Sequence, residues 1–158
     1  MKHSIINKLD LVAPTYSTKQ LNRSKKIISK MELFKRKLLR GFELSLFQKR
    51  GNGTKTVMEK TGRLNDLSGV YVVSSSTGKL LILGSAKKVL ADIQRLTRAK
   101  RVKDKEVLKK VANYYGFTNY KMGEKLLLAM TVNWLEVTDE TFKLMLKRAM
   151  IPHVKFVL

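Results

Sequence analysis

The sequence predicts an α+β fold: a small mixed sheet flanked by helices, preceded by a basic helical N-terminal extension. Three observations point there. Apolar residues recur at steps of three or four over much of the chain, two apolar runs flank the turn residues Ser74 to Gly78, and the elements follow in the order ββααβα. At 158 residues, 44% of them hydrophobic, the chain has the size and the apolar content for one ordinary domain with its own core.

Residues 1–17 hold Pro14, scattered apolar side chains and no clear period, and read as an extended arm. From Ser17 to about Arg50 the pattern turns helical, with Ile27, Ile28, Met31, Phe34, Leu38 and Phe42 at helical steps and Gly41 as a candidate break. "GNGTKT" (51–56) reads as a loop or linker. This divides the chain into a basic arm and helical extension over 1–63 and an α+β domain over 64–158. "GVYVV" (69–73) and "KLLILG" (79–84) are expected strands joined by the turn "SSSTG". A helix follows over about 86–98, with Val89, Leu90, Ile93 and Leu96 on one face. The run 98–106 reads as a charged connection, and a second helix carries Val107, Leu108, Val111 and Tyr115 up to Gly116. "KLLLAMTVNWLEV" (125–137) is expected to be one long strand. Asp139 caps a last helix that Pro152 ends, and residues 154–158 supply a further candidate strand.

Charge narrows the function. Lys and Arg number 33 against 12 Asp and Glu, leaving +21, and the excess is shared: +11 over residues 1–66 and +10 over 67–158. Such an excess opposes compactness unless a polyanion balances it, so both halves read as built to meet nucleic acid, or secondly an anionic membrane surface. The absence of Cys excludes disulfides, a thiolate nucleophile and a cysteine-based zinc site, and suits a reducing, intracellular compartment. Mitochondrion and cytoplasm both stay open, since residues 1–22 have a transit-like lysine and serine content but no arginine, and they are read as part of the mature chain. Apolar runs such as Leu126 to Met130 are far shorter than a membrane span.

Two basic clusters stand out. Over 23–40 the candidate phosphate-facing residues are Arg23, Lys25, Lys26, Lys30, Lys35, Arg36, Lys37 and Arg40, with Glu32 the one acid among them. A helix stabilised in water alone would intersperse acids for i,i+4 pairing. Over 87–103 the theme repeats with Lys87, Lys88, Arg95, Arg98, Lys100, Arg101 and Lys103. Aromatics offer a second mode of contact: Trp134, Tyr114, Tyr115 and Tyr120 form a candidate stacking platform for unpaired bases. Core filling is the better account of Trp134, and for the tyrosines the two readings stand level. Asp139 and Glu140 are read as favouring the positive end of a helix dipole rather than as a metal pair. His3 and His153, at opposite ends of the chain, carry no case for acid–base work.

The element order, with Gly69-Val70-Tyr71 followed across a short turn by Ile82-Leu83-Gly84, resembles the GIY-YIG nuclease domain over about residues 67–156. A basic helix after the second motif, the aromatic–Gly–aromatic stretch "YYGFTNY" (114–120) and a helix ended by Pro152 extend the similarity. The resemblance implies a phosphodiester hydrolase that uses two tyrosines, an arginine, commonly a histidine, and a glutamate holding a divalent metal. Carried over position by position, the first tyrosine is Tyr71, the second falls on Ile82, the arginine on Asp92, the histidine on Leu96 and the glutamate on Lys143. Lysine in place of the metal-binding carboxylate repels the cation such chemistry needs.

These substitutions lead to the expectation of a non-catalytic, pseudo-nuclease scaffold that binds nucleic acid, with Tyr71 a relic whose simplest role is to pack its ring in the core. No metal, cofactor or small-molecule substrate is expected. Structured RNA is favoured over DNA, by analogy with the small basic components of ribosome-like ribonucleoprotein particles. Two alternatives remain: an active, divergent GIY-YIG endonuclease acting on DNA, and a basic interaction protein docking on an acidic partner or membrane.

Overall fold

In the computed structural model, residues 18–37, 41–49 and 53–158 are described. The expected arm over 1–17 lies outside them. The chain runs α1 (Thr18–Lys37), β1 (Phe42–Glu43), a 3-10 turn (Leu44–Gln48), α2 (Gly53–Lys60), β2 (Gly69–Ser74), β3 (Leu80–Ala86), α3 (Val89–Thr97), α4 (Val102–Tyr114), α5 (Tyr120–Leu128), β4 (Thr131–Glu136), α6 (Glu140–Met150), a short 3-10 turn (Ile151–His153) and β5 (Phe156–Val157). The fold class is α+β, as the sequence predicts.

Five strands form one mixed sheet in the order β1-β4-β2-β3-β5. The hairpin strand β2 lies at its centre, antiparallel to β3 and to β4, while β5 runs parallel to β3. Period-two alternation sorts the side chains of β2 onto two faces. Tyr71 and Val73 join one apolar cluster with residues of α2, α3, α4 and α5; Val70 and Val72 join another with Leu146 and Met150 of α6 and with Ile27 and Met31 of α1. Every residue of β2 is buried, as a strand covered on both sides requires. The architecture is therefore three layers, helices over each face of the sheet.

Four expectations about elements are corrected. The helical pattern over 17–50 is helix only to Lys37 among the described residues. After it, Phe42 pairs with Val132 and stacks on Trp134 at 5.3 Å. Gly41 permits this, since a Cβ there would stand 2.9 Å from Asn133 Nδ2 and 3.1 Å from the Val132 carbonyl. The expected linker over 51–56 holds the start of α2, whose Gly53 lies so close to Phe47 that a Cβ would come within 2.6 Å of its carbonyl oxygen. The charged connection over 98–106 becomes helix from Val102, where Asp104 accepts the Arg101 backbone N–H at 3.1 Å.

The expected long strand over 125–137 is two elements. Asn119 starts α5 by accepting the Lys121 N–H at 3.0 Å, and the strand proper begins at Thr131. Packing overrides the strand-like composition of "KLLLAMTVNWLEV". Gly123 presses so closely on α4 that a Cβ would sit 2.0 Å from the Leu108 carbonyl oxygen, and Leu127 is buried beside it in the main cluster.

The core also reaches back past the boundary expected near Leu64. Leu44, Phe47 and Val57 are fully buried in the same cluster as Tyr71 and Ile93. The connection from α2 to β2 is fixed by Asp66, whose carboxylate accepts the Leu90 and Ala91 N–H groups at 2.9 and 3.0 Å and so closes the start of α3. Phe47→Ala is expected to lower stability by about 3–5 kcal/mol in urea unfolding. A domain confined to residues 64–158 would predict no such loss.

Candidate nucleic-acid interface

The five positions that the resemblance singles out do not meet in a cleft. Tyr71 is fully buried and its hydroxyl donates to Asp92 Oδ2 at 2.7 Å. Its ring lies across Gly84, directly opposite it in the hairpin, where a Cβ would come within 2.2 Å of the ring carbon Cζ. Ile82 and Leu96 are fully buried core residues on the same side of the sheet. Lys143 projects from α6 towards the other face, along with Leu146 and Met150. Its Nζ donates to Ser68 Oγ at 3.0 Å and to Glu140 Oε1 at 2.7 Å. No group of three His or carboxylate side chains able to hold a metal occurs among the described residues.

Asp92 belongs instead to a buried polar cluster. Besides Tyr71 it accepts Arg101 Nη1 at 2.5 Å and, more weakly, Arg95 Nη2 at 3.4 Å. The same guanidinium donates through Nη2 to Asp104 Oδ1 at 2.7 Å and through Nε to both Asp104 oxygens. Asp104 is completely buried and Asp92 is 5% exposed, so each needs its partner. Burial pulls the Arg101 guanidinium down, but its hydrogen bonds to Asp104 and Asp92 outweigh that and hold it above its ordinary value. Burial, then the Asp92 charge, pushes the Tyr71 hydroxyl well above the ordinary tyrosine range.

Arg101 is thereby corrected as a candidate for phosphate contact. All of its donors except the outer edge of the fork are committed inward, and its side chain is 25% exposed. A charge-run reading of "RAKRVKDK" has no means of separating it from its neighbours. The clue was the spacing to Asp104, three residues on.

The remaining candidates fall on both outer layers. On α1, Arg23, Lys25, Lys26 and Arg36 are exposed and Lys30 is half-buried. The side chains of Lys35 and Lys37, and the whole of Arg40, lie outside the described residues. Lys26 Nζ sits 5.3 Å from the centre of the Phe142 ring, and a cleft of about 280 Å³ opens there. Arg23, Lys26 and Lys30 line it from α1, and Asp139, Thr141 and Phe142 from the start of α6. Asp139 caps that helix by accepting the Phe142 N–H at 2.6 Å, in keeping with its reading as a helix-start residue. On the opposite layer Lys87, Lys88, Arg95, Lys100 and Lys103 are exposed and Arg98 is half-buried.

Sequence reasoning missed Lys105, Lys109 and Lys110, which α4 also exposes. Taking 98–106 as a connection hid the helical register that places them opposite the buried Val107, Leu108, Val111 and Ala112. It also missed Lys79 and Lys155, whose ammonium groups lie 5.2 and 5.9 Å from the centre of the Tyr114 ring. No helix among the described residues is long and apolar enough to cross a membrane. Comparison of the chain with protein-family models, curated proteins and solved structures returns no match.

Arg101→Ala removes the nearest cation from two buried carboxylates and is expected to cost about 3–5 kcal/mol in chemical denaturation. Tyr71→Phe removes one donor to Asp92 and should cost about 1–3 kcal/mol. Because the folded protein holds the Tyr71 proton more tightly than the unfolded chain does, its stabilisation is complete below about pH 10 and is lost as the pH rises further. Unfolding measured across that alkaline range should show a decline that Tyr71→Phe reduces.

Proposed function

We propose that this protein binds nucleic acid without cleaving it, as a component packed among the phosphates of a structured RNA. The observation that carries the reading is the distribution of cations: exposed Lys and Arg lie along α1 on one side of the sheet and, on the other, along α4 and at Lys87, Lys88 and Arg95 around α3. A protein that grips a duplex from one side needs one basic face. A protein enclosed by RNA meets phosphate on several, and each contact releases counterions to drive association. Exposed amphipathic lysines of this kind contact phosphate rather than base edges, which suits recognition by shape rather than by sequence.

The retained-scaffold part of the proposal is supported by the order of elements from β2 to α6, in which hairpin, helices, strand and helix follow as the GIY-YIG resemblance implies, with α5 as an added helix. Against hydrolysis stands the use made of the catalytic positions. Tyr71 and Asp92 are tied to each other, and Lys143 is turned to the opposite face of the sheet. A hydrolase of that type would need a carboxylate anchoring a cation beside the scissile phosphate.

The test measures RNA affinity against salt. Lys25→Ala with Arg36→Ala, and separately Lys87→Ala with Lys88→Ala, should each reduce the slope of log affinity on log salt by about 0.7–0.9 per charge removed. If only one pair acts, the enclosed-by-RNA reading falls and a one-faced binder replaces it. Incubation with plasmid DNA and magnesium should produce no nicking, and cleavage abolished by Tyr71→Phe would restore the nuclease reading.

A further inference from the structure

Three segments distant in sequence meet at one edge of the molecule: the β2–β3 turn at Lys79, the end of α4 at Tyr114, and the C-terminal stretch at Lys155 and Phe156. Lys79 Nζ donates to the Tyr114 hydroxyl, which is thereby drawn below its ordinary pKa, and Lys155 stands over the same ring. Phe156 meets Tyr114 edge-on at 6.4 Å, and Tyr115 meets it edge-on at 5.1 Å. The two lysines and Phe156 hold Tyr114 in place.

What they support is unusual. Tyr114, Tyr115 and Phe117 are 39%, 39% and 41% exposed, three aromatic side chains within four residues, presented on a turn that Gly116 makes at φ 86°. Trp134 and Tyr120, which composition grouped with them, belong elsewhere: Trp134 stacks on Phe42, and Tyr120 is half-buried beneath Lys105. Aromatic side chains exposed together on one turn are the kind of surface that marks an interaction site. The charge around it selects the kind. No Asp or Glu occurs between Asp66 and Asp92, between Glu106 and Glu124, or after Glu140, so all three contributing segments carry positive charge alone.

We infer that the Tyr114–Tyr115–Phe117 turn is a stacking platform for unpaired bases of single-stranded RNA, with Lys79 and Lys155 engaging the adjoining phosphates. This rests on the nucleic-acid reading above and sharpens it, because paired bases within a duplex have no free face to offer. Rings stack on bases of any identity, so the platform reports strandedness rather than sequence. The helix end suits bases better than phosphates. Its carbonyls are taken up by the N–H groups of Tyr115, Gly116 and Phe117, and the negative end of the α4 dipole leaves phosphate attraction to the lysines.

The experiment compares the affinity of the full chain for a labelled oligouridine and for duplex RNA at matched salt. The double variant Tyr115→Ala, Phe117→Ala should lose on the order of tenfold per ring for the oligouridine while its duplex affinity, which also reports that it is folded, holds. The aromatic-preserving pair Tyr115→Phe, Phe117→Tyr should retain wild-type affinity for both. Lys79→Ala with Lys155→Ala should flatten the salt slope for the oligouridine by about 0.7 per charge. An unchanged oligouridine affinity in the alanine pair, or an equal loss on both RNAs, overturns the platform and leaves general RNA binding intact. Failure of the wild type to bind either RNA overturns both readings.

Discussion

A single carboxylate, that of Asp92, joins three elements that would otherwise meet only through apolar contact. It sits on α3, accepts the hydroxyl of Tyr71 from the central strand, and accepts the guanidinium of Arg101 that begins α4. An unpartnered buried carboxylate would be costly, so the hairpin, the first covering helix and the start of the next are held in one relative arrangement or not at all. Asp104 completes the arrangement by holding the other donors of the same guanidinium. On the other face Val70, Val72, Leu83 and Leu146 pack together, and the buried charge there is Lys143, held by Ser68 and Glu140.

This bears on position 92, where the proposed nuclease resemblance would place an arginine. Set against the nuclease pattern, Asp92 is a charge reversal at an arginine site and looks like simple loss. In the folded chain Asp92 is fully engaged: the arginine that neutralises it arrives from nine residues further along, and Tyr71 donates to it from the core. Lys143 is a parallel case, a charged side chain 6% exposed and satisfied by Ser68 and Glu140. Positions that hydrolysis would keep open to water are filled and bonded.

The sequence displayed the centre of the fold well and its periphery poorly. The hairpin was legible because two short apolar runs flank an unmistakable turn, and α6 because Asp139 and Pro152 mark its two ends. The misread elements share a cause. At Gly53 and Gly123 the chain approaches another backbone too closely for any side chain, and no local pattern announces such a contact. Read alone, Gly53 signals a linker, and the leucines after Gly123 signal a strand. For the same reason the site was half legible. A run of cations is visible in one dimension, but that Arg101 turns inward while Lys79 and Lys155 converge on one tyrosine is a property of the assembled layers.

Both margins of the sheet are blunt. β1 and β5 are two residues long and pair only with Thr131 and Val132 of β4 and with Ile82 and Leu83 of β3, so the outermost strand on each side offers a very short ladder. Long bare margins are where one polypeptide recruits another into an unplanned ladder. Like-charge repulsion between copies of a chain carrying +21 already keeps them apart. The short margin strands add a second safeguard against clumping, one that does not fade when salt screens the charge.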